Sequence, residues 1–164
     1  MPTSYDKVFD KFIRKLKGDK QFFNYGQLSD EQINELVNDH LLSLLNRSID
    51  KIYEYGKPDI DLHDKDDAVR LFNVELVNQE ISLLSEIMYF SYAEEGRNEL
   101  KTLGMTFRTS EINVIHSPAN ERNSYLKMIA ELESNIDNAI SNYLSRNRKT
   151  WKIKSIYDGD YNGV

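Results

Sequence analysis

Residues 81–92 constrain the fold of this chain more than any other stretch. Ile81, Leu83, Leu84, Ile87, Met88, Phe90 and Tyr92 are apolar around most of a helix's circumference, not along one stripe. Such a helix must be covered on several sides, so it belongs either at the centre of a bundle or at a subunit interface. The helical pattern around it runs over residues 68–103 with an interruption near 73–78. Glu94, Glu95, Gly96 and Arg97 weaken it, the glycine costing about 1 kcal/mol relative to alanine. Leu100 and Leu103 supply the last apolar contacts before Gly104.

Other segments carry one-sided stripes that can cover such a helix. Residues 5–16 place Val8, Phe9, Phe12, Ile13 and Leu16 on one face, with Lys7, Lys11, Arg14, Lys15 and the following Lys17 on the other and Gly18 as the expected stop. A linker over 19–28 follows, whose Phe22, Phe23 and Tyr25 read as packing aromatics. Ser29 and Gln32 then have the spacing of a capping box. Ile33, Leu36, Val37, Leu41, Leu44, Leu45, Ile49, Ile52 and Tyr53 give the next helix a 3.6-residue period. Gly56 and Pro58 end it. His40 lies beside that stripe and reads as a half-buried surface histidine.

Residues 58–67 are the most acidic stretch, with Asp59, Asp61, Asp64, Asp66 and Asp67 around His63. A calcium loop started at Asp59 would need glycine at its sixth position and an acid at its twelfth. It has Asp64 and Arg70 there, so the stretch reads as an acidic structural connector. Residues 105–116 lack helical period, and Met105, Phe107, Ile112, Val114 and Ile115 read as an extended element or structured loop. In a helical protein such an element is either a short hairpin within the monomer or a strand that pairs with another subunit. A long helix then begins at Pro118, with Tyr125, Met128, Ile129, Leu132, Ile136, Ala139, Ile140, Tyr143 and Leu144 as its stripe. Residues 150–157 alternate apolar and polar, the cleanest strand pattern in the chain, and the last residues read as a tail.

The expected fold is therefore mainly α: a bundle of about four helices, a short extended segment or hairpin, and a C-terminal strand-like tail. The division expected is a helical domain over 1–149 and a basic-aromatic tail over 150–164. At 164 residues the chain is long enough for one real core. Without cysteine it has no disulfide framework, thiolate chemistry or cysteine-bound zinc. Its first residues lack the apolar run of a secretory signal, and no stretch approaches the roughly 18 apolar residues of a membrane helix, so a cytosolic origin and no membrane partner are expected.

Charge is unevenly spread. Arg146, Arg148, Lys149, Lys152 and Lys154 crowd together without an acid, leaving 16 cations against all 27 acids elsewhere, a net −11. An acidic body disfavours general nucleic-acid binding, and the basic patch suits docking. The catalytic templates are not met: there is no phosphate loop, nucleophile elbow or HExxH, and His40, His63 and His116 are scattered. No enzyme activity, cofactor or metal is expected.

The order of features resembles a family of small proteins of tailed bacteriophages and prophages of Gram-positive bacteria, placed among the head–tail connector, or neck and adaptor, proteins. The matching segments are YDKVFDKFIRKL, LHDKDDAVRLFNVELVNQEISLLSEIM, MTFRTSEINVIHSPAN and the closing helix, together roughly residues 5–148. The tail from Thr150 has no place on that pattern, and the family offers no catalytic residues to transfer.

The resemblance implies a structural virion protein of the neck, made in the host cytoplasm. It implies a homo-oligomeric ring, commonly of about twelve copies, beneath the portal protein. Further neck or tail-completion proteins would dock on it, and DNA would pass through without sequence-specific binding. On this reading Arg146, Arg148, Lys149, Trp151, Lys152, Lys154 and Tyr157 are the expected partner-binding residues. Phe107, Arg108, Ile112 and Val114 are the expected inter-subunit or channel segment. The alternative is a small non-enzymatic helical interaction or regulatory protein of phage or bacterial origin.

Overall fold

The helix that is apolar all round is the middle of α3 (Asn78–Phe107), and three other helices pack on it: α1 (Asp6–Lys15), α2 (Asp30–Tyr55) and α4 (Pro118–Leu144). The computed structural model describes residues 1–16, 29–107 and 118–154, with 97–107 and 118–122 as helix backbone alone. Ile81, Leu83, Leu84, Ile87, Met88 and Phe90 are all buried in one core with Leu44, Leu45, Ile49, Ile52, Ile136 and Ile140. Of the two settings open to such a helix, the bundle centre is the one it occupies. The expected class, a mainly helical bundle of about four helices, is the observed one, with four among the described residues.

Each helix starts and stops for local reasons. α1 buries Val8, Phe9 and Phe12 and turns its lysines outward, where Lys11 reaches Ser82 and Lys15 reaches Glu86 on α3. The capping box of α2 is present: the Gln32 N–H donates to Ser29 Oγ, and the Gln32 side chain accepts from the Ser29 N–H at 3.2 Å. Its apolar stripe is buried from Leu41 onward, whereas Leu36 near the start is 42% exposed. α2 ends at Gly56, whose φ of 156° and ψ of 174° lie where a side chain is strained. A Cβ there would also sit 3.4 Å from Leu144 of α4. Gly96 does not stop α3. It makes room for Tyr125, whose hydroxyl donates to the Ala93 carbonyl at 2.7 Å and would lie 2.8 Å from an added Cβ.

Three expectations need correction. Residues 68–72 are not helical; the break expected near 73–78 is present and extends back through them, α3 starting only at Asn78. They form a turn and then β3 (Leu71–Phe72), the middle strand of a small antiparallel sheet with β1 (Thr3–Ser4) and β2 (Lys65–Asp66), in the order β1-β3-β2. Turn chemistry overrides the helical period: Asp66 accepts from the N–H groups of Ala68 and Val69, and Arg70 adopts a left-handed φ of 56°. The chain's first residues then pair with β3, Thr3 opposite Phe72, while Thr3 Oγ1 accepts from the Leu76 N–H. Second, α3 runs past Gly104, so residues 105–107 are helical and Phe107 is not in an extended segment. Third, residues 150–154 are not a strand. A single bridge between Arg146 and Ile153 is all the pairing they make among the described residues. The linker aromatics Phe22, Phe23 and Tyr25, the expected stop Gly18, and His116 lie outside the described residues.

Where α2 crosses α3, Glu95 accepts from Arg47 and pairs with His40 Nε2 at 2.8 Å. Burial alone would raise the Glu95 carboxyl, but the histidine and arginine outweigh it and hold it below the ordinary 4.5. Because the folded value lies below the unfolded one, the contribution is complete above 4.5 and is lost as pH falls through the folded value. Urea midpoints should therefore fall between about pH 5 and pH 3, and Glu95→Gln should make that fall shallower; an unchanged slope would remove Glu95 from the account. Gly56→Ala should lower stability by roughly 1–3 kcal/mol in urea unfolding.

Candidate functional site

The feature that sequence reasoning pointed to is the C-terminal basic patch, and its geometry follows from one asparagine. After α4, the Asn147 side chain accepts from the N–H groups of Lys149 and Thr150, both at 3.0 Å, and its carbonyl accepts from the Trp151 N–H. The chain reverses. The Asn147 N–H donates to the Lys152 carbonyl and the Lys154 N–H to the Ser145 carbonyl, on either side of the Arg146 and Ile153 bridge. Residues 150–154 are thus hydrogen-bonded onto the end of α4. Closing this turn puts Trp151 at a left-handed φ of 59°, a conformation that costs a bulky residue about 1–3 kcal/mol.

The patch divides its charges between two tasks. Arg148 is an internal anchor. Its Nε and Nη2 grip Glu80 Oε1 and Oε2 at 2.8 and 2.9 Å, and Nη2 also donates to the Glu75 carbonyl. Glu80 is only 2% exposed, and the Tyr143 hydroxyl donates to it at 3.0 Å. Its other oxygen accepts from the Val77 N–H at the start of α3. One carboxylate therefore ties the first turn of α3 to the end of α4. Burial, joined by the Glu80 charge, pushes the Tyr143 phenol well above its usual range. Lys154 is a second anchor, donating to Asp59 at 2.7 Å and to the Leu144 carbonyl. Arg146 is turned onto the indole of Trp151, 5.9 Å from the ring, while donating to the Trp151 carbonyl.

What remains outward is smaller than the sequence patch. Lys149 and Lys152 are exposed and make no side-chain ion pair among the described residues. Ile153 is 68% exposed and Trp151 36%. Tyr157 lies outside the described residues, as do Arg108, Ile112 and Val114 of the expected channel segment. Phe107 closes α3 at some sequence distance from the patch, and nothing among the described residues joins the two sets.

The acidic connector is a set of short hydrogen bonds. Asp61 caps the His63 N–H and accepts from Tyr53, Asp64 accepts from Asn73, and Asp67 accepts from Tyr5 and Lys65. The Lys65 hydrogen bond is the main reason the Asp67 carboxyl is held below its ordinary value, despite burial. Among the described residues no three histidine, aspartate or glutamate side chains converge as a metal site would require. No helix among them is long and apolar enough to cross a membrane.

Two features escaped the sequence reading. Glu80 sits three residues after Val77, which has no side-chain oxygen, so the capping signature was incomplete and the carboxylate unremarkable. The other is a groove beside Trp151, where Gln79, Ser82, Leu83 and Glu86 of α3 face Ala139, Asn142 and Tyr143 of α4 around 310 Å³. It is a property of α3, α4 and the C-terminal loop together and has no linear signal. Compared with protein families, curated proteins and solved structures, the chain matches none.

If Glu80 closes the bundle as described, Glu80→Ala removes the carboxylate partner of Arg148 and the acceptor of the Tyr143 hydroxyl and should cost about 3–5 kcal/mol in urea unfolding. A loss below about 1 kcal/mol, as for a surface ion pair, would contradict this role.

Proposed function

We propose that this chain is a non-enzymatic assembly protein, a head–tail connector that docks on a portal ring and extends its channel. The observation that carries the proposal is the C-terminal loop. It presents Trp151, Ile153, Lys149 and Lys152 at the surface on a backbone fixed by hydrogen bonds to α4 and by the Arg148 and Lys154 anchors. Ordering a docking loop in advance removes an entropic cost of binding, and aromatic side chains beside cations are frequent interface anchors. An acidic body bordering a channel would let DNA slide without adhering, because nonspecific affinity comes from neutralising phosphates. The family order of segments set out above supplies the portal as partner. The ring of about twelve copies, the further neck proteins and the virion location belong to the same proposal.

A specific observation also favours the alternative, a small helical interaction protein. The groove beside Trp151 is a discrete site that one monomer can offer to one partner. Sedimentation with the portal ring encoded by the same genome separates the two. The wild-type chain should co-sediment with that ring, and the pair Lys149→Glu with Lys152→Glu should lose at least about tenfold in affinity at unchanged helicity. A stable dimer that never associates with the ring would sink the connector reading.

A further inference from the structure

α1 and α4 both pack on α3, and among the described residues α3 is the floor of an open groove between them. Ser82, Glu86 and Tyr89 line the floor, with Asn135, Ala139 and Asn142 along the α4 wall. Lys15 stands on the α1 side, and Trp151 closes one end. Two cavities, of 310 and 440 Å³, meet at Glu86. From Gln79 to Tyr89 the floor spans about 15 Å, nearly three helical turns. The groove is mostly apolar and lies against a helix whose remaining circumference is covered by its neighbours, so a helix laid in it would complete the packing around α3.

The charges around the groove differ from those of the whole chain. The net charge is −6, yet Lys11 and Lys15 border the α1 side, and Arg146, Lys149 and Lys152 belong to the loop that carries Trp151. Among the described lining residues of these two cavities Glu86 is the one acid, and it is already 3.5 Å from Lys15. Trp151 adds an independent sign of use. A glycine or asparagine would take its left-handed backbone more readily, yet an indole stands there, stacked by Arg146 and half-open to the groove.

We propose that this groove docks an amphipathic helix of a partner protein whose apolar stripe is flanked by carboxylates. The stripe would lie on Tyr89, Ala139 and Trp151, and the carboxylates would meet Lys15 on one side and the loop lysines at the end. The inference rests on the reading of the chain as an assembly protein and names the chemistry of what it assembles with.

Trp151 is the single tryptophan of the chain, so its fluorescence reports this site directly. The probes are two synthetic helices of about four turns with the same leucine stripe, one flanked by glutamates and one by lysines. Titrated into the full chain, the glutamate peptide should shift the Trp151 emission to shorter wavelength and saturate, and added salt should weaken it. The lysine peptide should bind at least about tenfold more weakly. Asn135 is exposed, so Asn135→Glu should leave circular dichroism and the thermal midpoint unchanged while weakening the glutamate peptide at least about fivefold.

Equal binding of the two peptides, no saturable shift, or indifference to Asn135→Glu would each overturn the proposal. So would a concentration-dependent doubling of mass that Asn135→Glu abolishes, since the groove's occupant would then be a second copy. Peptide binding by a chain that never attaches to the portal ring would uphold the groove and reject the connector. Portal attachment without peptide binding would do the reverse.

Discussion

A helix that is apolar on nearly every side cannot exist alone in water, and this requirement at α3 organises everything else in the molecule. Burying an aliphatic or aromatic side chain contributes roughly 1.5–3 kcal/mol, and α3 places Ile81, Leu83, Leu84, Ile87, Met88 and Phe90 in the core. No single amphipathic partner can cover that circumference. The chain therefore supplies three: α1 and α4 flank α3, and α2 crosses it. The small sheet has a related duty, since Tyr5 and Phe72 are both fully buried with ring centres 4.8 Å apart, sealing the entry to α1 against the segment that leads into α3.

Apolar packing sets the partners of α3 but leaves their ends free to slide, and polar contacts fix them. At one end Glu80 gathers Arg148, Tyr143 and the Val77 N–H. Further along, Glu95 gathers His40 and Arg47 from α2. Both carboxylates belong to α3, so the central helix carries the polar contacts as well as the greasy ones. A buried carboxylate that lost these donors would be strongly unfavourable, which makes the arrangement selective for one register of α4 against α3. The same network converts the basic patch from a loose tail into a fixed platform.

Much of this was legible in the residues. The all-round apolar helix, the Ser29 and Gln32 cap, the Gly56 stop and the Pro118 start are local signals that the fold keeps. The failures have different causes. Residues 68–72 fit a helical period, but a local turn at Asp66 and pairing with Thr3, some 70 positions away in sequence, take them out of the helix. Residues 150–154 alternate like a strand, yet a side-chain turn at Asn147 folds them back on α4. The chemistry of the patch was visible, but its allocation was not. Nothing in the order of residues says that Arg148 and Lys154 are taken up by Glu80 and Asp59 while Lys149 and Lys152 are left outward. The groove is likewise a product of the spacing between α1 and α4, which no single segment encodes.

An acidic helical body that holds Lys149, Lys152 and Trp151 outward on a hydrogen-bonded loop is suited to assembly, and the connector proposal gives that assembly a place and a stoichiometry. On that proposal the encoding genome produces tailed particles, and the most direct measurement is the copy number of this chain in them, counted by quantitative mass spectrometry against the portal protein. The account predicts a fixed ratio near one chain per portal subunit, retained after the particles are washed in salt. Particles that carry the portal but none of this chain would contradict it.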